Sequence, residues 1–487
     1  MNKVPKLQIA NIITNSKKYP YLIVFSIAIF LRLVPEILAF PYPIGYDVIN
    51  YYLPVIKNFE EYWPTISNQF PFYVSLLYAI SEVFHIEPRS VISASIVLVF
   101  GFFSLTTFSI GRNLLRLDNL RNIFLSIFVI FQLAVLRTSW DLHKDMFALT
   151  LTFFSLLFIS KIPNISKKLI AVTATLSIVS VLADRMIGLL LSISLIGSSF
   201  VKRDRDLAIV VGIVIVIFGL LQANHDNIGY NLKMVASKNS INEIYNPMNL
   251  IVLFLVMNAI LLPSGIVGFI RCKLIIFKIP LLISAIGSFT WIIFPNTSAF
   301  LPDRWIVIFS IFLSLFSGYG FITLIENRRI ALSSRKLNNY LIILIPFIFL
   351  GSAFAASPNN SYLNIYGAFH QFIGPYGPLT MQYNSISLPE SRSLLSAIDW
   401  INKDTNTAEG SVIMGSKHLR GWMELELKER TFLFADNNTK LLGSNKYDEL
   451  YLLELISRQS TEIPENYLQE LAYNSTDFSL YRLKLIK

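Results

Sequence analysis

The chain has 487 residues and a formal net charge of +10, with 54% hydrophobic residues and only 15% charged ones. Soluble domains carry about a quarter of their residues as charges, and no water-facing fold hides this much apolar surface, so a wholly soluble protein is excluded and the bilayer is the expected solvent. The Lys and Arg excess sits in short connections between apolar runs, where it sets orientation rather than binding nucleic acid, and the single cysteine, Cys272, excludes an internal disulfide.

The first apolar run, 20–40, is long enough to span and has no small-residue cleavage site after it, so it reads as a span rather than a secretory signal. Near its end Arg32 and Glu36 stand four apart on one face, where they can pair. The loop that follows, Phe40-Pro41-Tyr42-Pro43-Ile44-Gly45-Tyr46-Asp47-Val48-Ile49-Asn50-Tyr51-Tyr52, has a backbone stiffened by prolines and a lone carboxylate, Asp47. That aspartate is either a helix cap for 48–58 or a group aimed along the membrane surface.

Ten more spans are expected: 90–111, 121–137, 145–160, 169–183, 186–201, 207–222, 249–270, 279–296, 303–325 and 339–355. The aromatic stretch 69–85 is expected to lie at the interface or re-enter, because counting it as a span breaks the charge alternation. With it excluded, one set of connections, starting with the N-terminus, holds twenty Lys and Arg and the other set seven, which orients the N-terminus to the cytoplasm and the tail to the outside. Domain bounds follow: a transmembrane module 1–355, a Gly/Pro/Asn/Tyr-rich linker 356–387 and a soluble extracytoplasmic domain 388–487. In the tail, helices are expected from Leu388 and over Asp448 to Ser457, and strands at 411–414, 431–434 and 479–486, giving a small α/β domain.

Polar groups at the ends of spans are the candidates for chemistry. Besides Asp47 they are the run Arg137-Thr138-Ser139-Trp140-Asp141-Leu142-His143-Lys144-Asp145, the pair Asp184-Arg185, and Pro302-Asp303-Arg304-Trp305. Each has a plain alternative: a solvated loop, a residue at a helix N-terminus, or an arginine reaching lipid phosphates. His225 and Asp226 give a weak signal, and Asp204-Arg205-Asp206 reads as a charged cytoplasmic loop rather than a metal-binding D-x-D. No HExxH, P-loop or dinucleotide fingerprint is present.

Taken together these segments resemble the GT-C class of membrane glycosyltransferases, which includes protein O-mannosyltransferases and the aminoarabinose transferase. Arg32, then Pro43-x-Gly45-x-Asp47 with Tyr51, is similar to the first outer loop of that class. The segment 69–111 is similar to its juxtamembrane helix and second span, and the turn Gly111-Arg112 to its cytoplasmic turn. Trp140-Asp141 falls where the class carries a second acidic residue, and Pro302-Asp303-Arg304 looks like its arginine-bearing late span. The sequence departs in having Asp47-Val48 where an Asp-Glu doublet is usual, and in lacking a WWD motif, so transfer of a whole oligosaccharide is not expected.

The resemblance implies an all-α polytopic bundle with a small α/β tail domain. It also implies transfer of a sugar from a polyprenyl- or dolichyl-phosphate donor to a lipid, glycan or protein acceptor at the outer leaflet, with no nucleic-acid partner. It assigns Asp47 and Asp141 to catalysis, Asp47 as base. Tyr46, Trp140, His143, Lys144, Arg185 and Arg304 are the expected substrate-binding residues, the cations meeting the phosphate; a divalent metal held in part by Asp141 is left open. The alternatives from other classes are a transporter or flippase, which favours mid-membrane charges and related halves, and a non-catalytic scaffold.

Overall fold

The computed structural model describes residues 19–41, 44–45, 47–67, 70–161, 167–223, 247–293, 301–327, 336–356, 388–403, 412–415, 419–428, 431–434, 449–456 and 467–486. Each expected span contains helix. The first is α1 (Tyr19–Ala39), followed by a π-helical turn (Val48–Tyr52) that runs into α2 (Leu53–Lys57), then α3 (Phe59–Ile66), α4 (Phe72–Phe84) and α5 (Pro88–Asn113). Next come α6 (Asn119–Ile130), α7 (Leu133–Asp141), α8 (His143–Ile159), α9 (Lys167–Ala183), α10 (Arg185–Lys202) and α11 (Arg205–Ala223). The bundle is completed by α12 (Pro247–Asn258), α13 (Leu262–Arg271), α14 (Ile275–Ser288), α15 (Thr290–Ile293), α16 (Pro302–Glu326) and α17 (Lys336–Ala355).

Six of these helices are individually long and apolar enough to cross a bilayer, and two bent pairs, α6 with α7 and α12 with α13, bring the number to eight. Others fall just short: α8 and α9 have 17 residues each, about 25 Å at 1.5 Å per residue. The expected single spans 121–137 and 249–270 are each broken, by 56° and 68°. The first break matters for function, because it turns α7 toward the chain end of α1.

Contacts along the helices define two ends of the bundle. Arg112, at the close of α5, lies over the Tyr21 ring at the start of α1, and Arg121 pairs with Glu326 at 2.6 Å. At the other end Arg89 donates to the Pro41 carbonyl at 2.6 Å and Ser93 to Glu36 at 2.8 Å. The helix α4 begins beside Tyr52, through Tyr73, and hands over to α5 at Arg89, so the chain enters and leaves it at one end. Its 13 residues extend about 20 Å, short of the roughly 30 Å of hydrocarbon.

Two sorts of helix surface result. Large apolar side chains such as Phe30, Phe200, Ile270 and Phe349 are exposed, as lipid-facing residues must be. The helix α16 is the opposite: 83% of its apolar stretch is buried inside the protein, against 22% for α11. Packed between helices, hydroxyls turn back on the carbonyl one turn earlier, as in Thr107, Ser194, Ser198, Ser288 and Ser310, so no separate partner is needed in an apolar surround. Other hydroxyls cross between helices, Ser264 of α13 meeting Ser317 of α16 and Thr152 of α8 meeting Ser180 of α9.

The tail begins with α18 (Leu388–Lys403) and contains β1 (Val412–Gly415), α19 (Arg420–Glu426), β2 (Thr431–Phe434), β3 (Glu449–Leu455), β4 (Tyr467–Asn474) and β5 (Phe478–Leu485). The sheet order is β2-β1-β3-β5-β4, parallel across β2-β1-β3 and antiparallel across β3-β5-β4. The expected helix over 448–457 is therefore wrong: its described residues form the central strand. The physical reason is burial of both faces. Leu450 and Leu452 pack with Val412, Met414 and Leu483 on one side, while Tyr451, Leu453 and Leu455 join the other core with Ile398, Phe478 and Leu480. An apolar run buried on both faces carries no alternation to distinguish it from a helix. The expected linker lies almost wholly outside the described residues.

Candidate active site

The site is built where the first loop meets the α7–α8 break. Gly45 has φ +100°, a backbone state that other residues resist. A side chain there would also collide, since a Cβ would stand 2.3 Å from the Trp140 carbonyl oxygen. With glycine in place, the backbone at residue 45 lies against that of Trp140 and Asp141. The Asp47 backbone N–H then donates to Asp141 Oδ1 at 3.0 Å. The two aspartates, 94 residues apart in sequence, are thus joined directly, and Asp141 holds the turn from which Asp47 projects.

A second tie anchors α7 from below. Arg32, fully buried in α1, donates from Nε to the Ser139 carbonyl at 3.1 Å and pairs with Glu36 at 2.7 Å. Glu36 in turn accepts from Ser93 of α5. The expected Arg32–Glu36 pair is therefore real, and it fixes the helix carrying Asp141 to α1 and α5. The aromatic residues after Asp47 set the third side: Tyr52 stacks on the His143 ring with centroids 5.4 Å apart, and its hydroxyl accepts from the Lys144 N–H at 3.1 Å. Sequence reasoning did not single out Tyr52; its adjacency to Asp47 was the available signal.

Two cations face this turn. Arg304, in the first turn of α16, lies with Nη1 3.9 Å from Asp145 Oδ2. Lys144 Nζ is 4.0 Å from Asp184 Oδ2 and 5.7 Å from the centroid of the Tyr51 ring. At these separations the pairs are electrostatic contacts beyond direct hydrogen bonds, so donor capacity remains for an anion that enters between them. Asp184 is itself held, accepting from the Met186 and Ile187 N–H groups at 2.9 Å as the cap of α10.

The Asp47 carboxyl is raised to about 6, first by burial and then by the Asp141 charge, while Arg304, Lys144 and Arg137 pull it down. Burial and a like charge both penalise the ionised form, and the cations restore part of it. A carboxylate so balanced is still ionised at neutral pH yet more basic than a free aspartate, which suits proton abstraction.

The remaining expected residues are distributed as follows. Trp140 is buried and packs on Phe354, with ring centroids 4.4 Å apart. His143 is buried beneath Tyr52, with Nε2 3.2 Å from the Trp140 carbonyl; both support the turn. Arg185 is half-buried at the start of α10, and among the described residues it makes none of the contacts above. Tyr46, His225 and Asp226 lie outside the described residues. Among the described residues no three of His, Cys, Asp and Glu are grouped as a metal centre needs.

No family model matches this sequence, and no curated protein matches it. In structure it is similar to ArnT from Cupriavidus metallidurans bound to undecaprenyl phosphate, with a TM-score of 0.53 at 11% identity over 96% of this chain and 98% of that one. The same protein in its apo state matches at 0.53 and 12% over the same shares. An Archaeoglobus fulgidus oligosaccharyltransferase matches at 0.49 and 14% identity, over 84% of this chain and 62% of that one. Identities this low speak for the fold alone, and near-complete coverage in both directions by ArnT makes that fold the GT-C one across bundle and tail.

Proposed function

We propose that this chain is an integral membrane glycosyltransferase. It moves a sugar from a polyprenyl-phosphate-linked donor to a lipid, glycan or protein acceptor at the outer leaflet. The observation that carries the reading is the joining of Asp47 to Asp141 under Arg304 and Lys144, at one end of the bundle. The binding of undecaprenyl phosphate by the similarly folded ArnT supports a donor of that type.

The chemistry follows from the residues. The donor's hydrocarbon stays in lipid and its phosphate reaches the end of the bundle, where Arg304 and Lys144 take up its charge. The acceptor hydroxyl attacks the anomeric carbon, its proton passes to the Asp47 carboxylate, and the sugar–phosphate C–O bond breaks to release polyprenyl phosphate. Charge grows on the leaving phosphate as that bond opens, so the two cations act most strongly in the transition state. Asp141 keeps the Asp47 turn in place through its backbone N–H. Tyr46 and Arg185 are proposed to contribute to substrate binding.

The orientation is proposed from charge. Arg112 and Lys202, described residues of two basic connections, lie at the end of the bundle opposite the site, which with the positive-inside rule supports a cytoplasmic N-terminus and an outer site and tail. Residues 1–355 form the membrane module, 356–387 the linker and 388–487 the soluble domain. A transporter reading gains nothing from these charges, which gather at one end rather than along a pathway. The deciding test is donor-dependent transfer by the purified full-length protein, with a panel of polyprenyl-phosphate sugars and Asp47→Asn beside the parent. Transfer by the parent alone supports the reading; equal transfer by both, or an absence of donor binding, overturns it.

A further inference from the structure

The tail domain touches the bundle at a telling place. The helix α19 sits on the π-helical turn and on α2, the segment that starts at Asp47. Gly421, its second residue, donates its N–H to Asn50 Oδ1 at 2.8 Å. That amide belongs to the first turn of a helix, which has no partner within the helix, so Asn50 satisfies it from 371 residues away. Backbone lies against backbone here: a Cβ on Gly421 would stand 2.2 Å from the Ile49 carbonyl oxygen and 2.7 Å from the Asn50 Cα. Two contacts continue the seam, Lys57 Nζ to the Leu425 carbonyl and the Tyr62 hydroxyl to Glu424 Oε2, each at 3.1 Å.

The geometry has a mechanical meaning. The Asp47 turn is gripped from below, where Asp141 accepts its N–H and the Trp140 carbonyl closes on Gly45. It is gripped from above three residues later, where Asn50 and Gly421 meet. A π-helical turn has looser hydrogen bonding than an α-helix and marks functional segments; held on one side only, such a turn tilts.

We propose that the tail domain is a positioning element of the site: docked through Gly421 and Asn50, α19 holds the Asp47 turn in the register its carboxyl needs for proton abstraction. This rests on the role given to Asp47 above. Asn50 and Gly421 are positioning residues, acting through the turn and touching no reacting atom. Reading the tail as a platform for acceptors alone would leave the direct backbone seam to the turn without purpose.

The test uses the full-length protein at pH 8 and three variants. Gly421→Ala forces the seam apart, Asn50→Ala removes its hydrogen bond, and Asn50→Asp keeps an acceptor oxygen. Misplacement of a catalytic group by about 1 Å costs on the order of a hundredfold. Both alanine variants are therefore expected to lose about ten- to a hundredfold in kcat with donor KM unchanged, and Asn50→Asp to recover most of it. Hydrogen exchange, which needs no substrate, should speed up over residues 48–57 in Gly421→Ala while β1, β3 and β5 keep their protection. An unchanged kcat, a loss confined to donor KM, or unchanged exchange over 48–57 overturns the proposal. Failure of the Asp47 reading shows itself elsewhere, as full turnover by Asp47→Asn; the exchange and kcat of the Gly421 and Asn50 variants then still judge the seam.

Discussion

Replacing Asp47 by Asn should flatten the acid side of the pH–rate profile. The carboxyl is raised to about 6, and a general base works only when unprotonated. The rate therefore holds level above that value and falls as pH drops through it. One unit below, about a tenth of the base remains ionised, so the parent at pH 5 should run at about a tenth of its plateau. Asn keeps the shape of the turn and leaves the backbone N–H to Asp141 intact, but it takes no proton; the plateau rate should fall by about 10²–10⁴ and the limb near 6 should vanish. Neighbours supply the control. Asp141 raises the Asp47 value, so Asp141→Asn should move the limb to lower pH; Arg304 lowers it, so Arg304→Ala should move the limb to higher pH. Single-turnover rates from pH 4.5 to 8.5 with saturating donor measure all three. A limb near 6 that survives in Asp47→Asn, or shifts of the two neighbours in the same direction, would refute the assignment.

Donor binding should depend on the cations instead. With charge-assisted hydrogen bonds worth roughly 1.5–3 kcal/mol, Arg304→Ala or Lys144→Ala should weaken affinity for polyprenyl phosphate about ten- to a hundredfold, checked by titration of the phosphate alone. Arg32→Ala leaves Glu36 without its buried partner, an uncompensated charge of the kind that costs about 3–5 kcal/mol; the detergent-solubilised protein should unfold at lower temperature, and a variant that melts like the parent contradicts the anchoring role. Topology is open to reporters: a fusion after Lys336 should report cytoplasm and one after Lys487 the outside. Where N-glycosylation operates, Asn474, exposed on β4, should accept sugar together with Asn296, Asn359 or Asn437, and Asn164 should not.

Much of this was legible because it rests on patterns with long reach. Twenty residues of apolar sequence make a helix wherever the bilayer is the solvent, and the Lys/Arg alternation is what sets the expectation that 69–85 does not cross. Asp47 and Asp141 could be paired in advance only through the resemblance to GT-C enzymes; nothing in their spacing brings residues 94 apart together. What stayed hidden depends on tertiary placement. Asn50 and Gly421 look like ordinary loop and helix residues until the tail is docked. His143 and Trp140 have the right chemistry for a ligand but are covered by Tyr52 and Phe354. The strand over 449–455 was misread because both its faces are buried.

The burial of α16 also fixes an order of assembly. It is the most enclosed of the candidate spans and packs on α6, α7, α12, α13 and α14, which precede it in the chain, as well as on α17, which follows. At ordinary rates of about 5–20 residues per second, the ribosome reaches α16 roughly 10–35 s after completing α6. During that interval the earlier helices stand in the membrane around a groove whose occupant does not yet exist, and Arg304 is still untranslated when Asp145, its partner, is already in place. Nascent chains stalled before residue 302 should therefore be inserted but open to protease between helices, and those released after residue 326 closed.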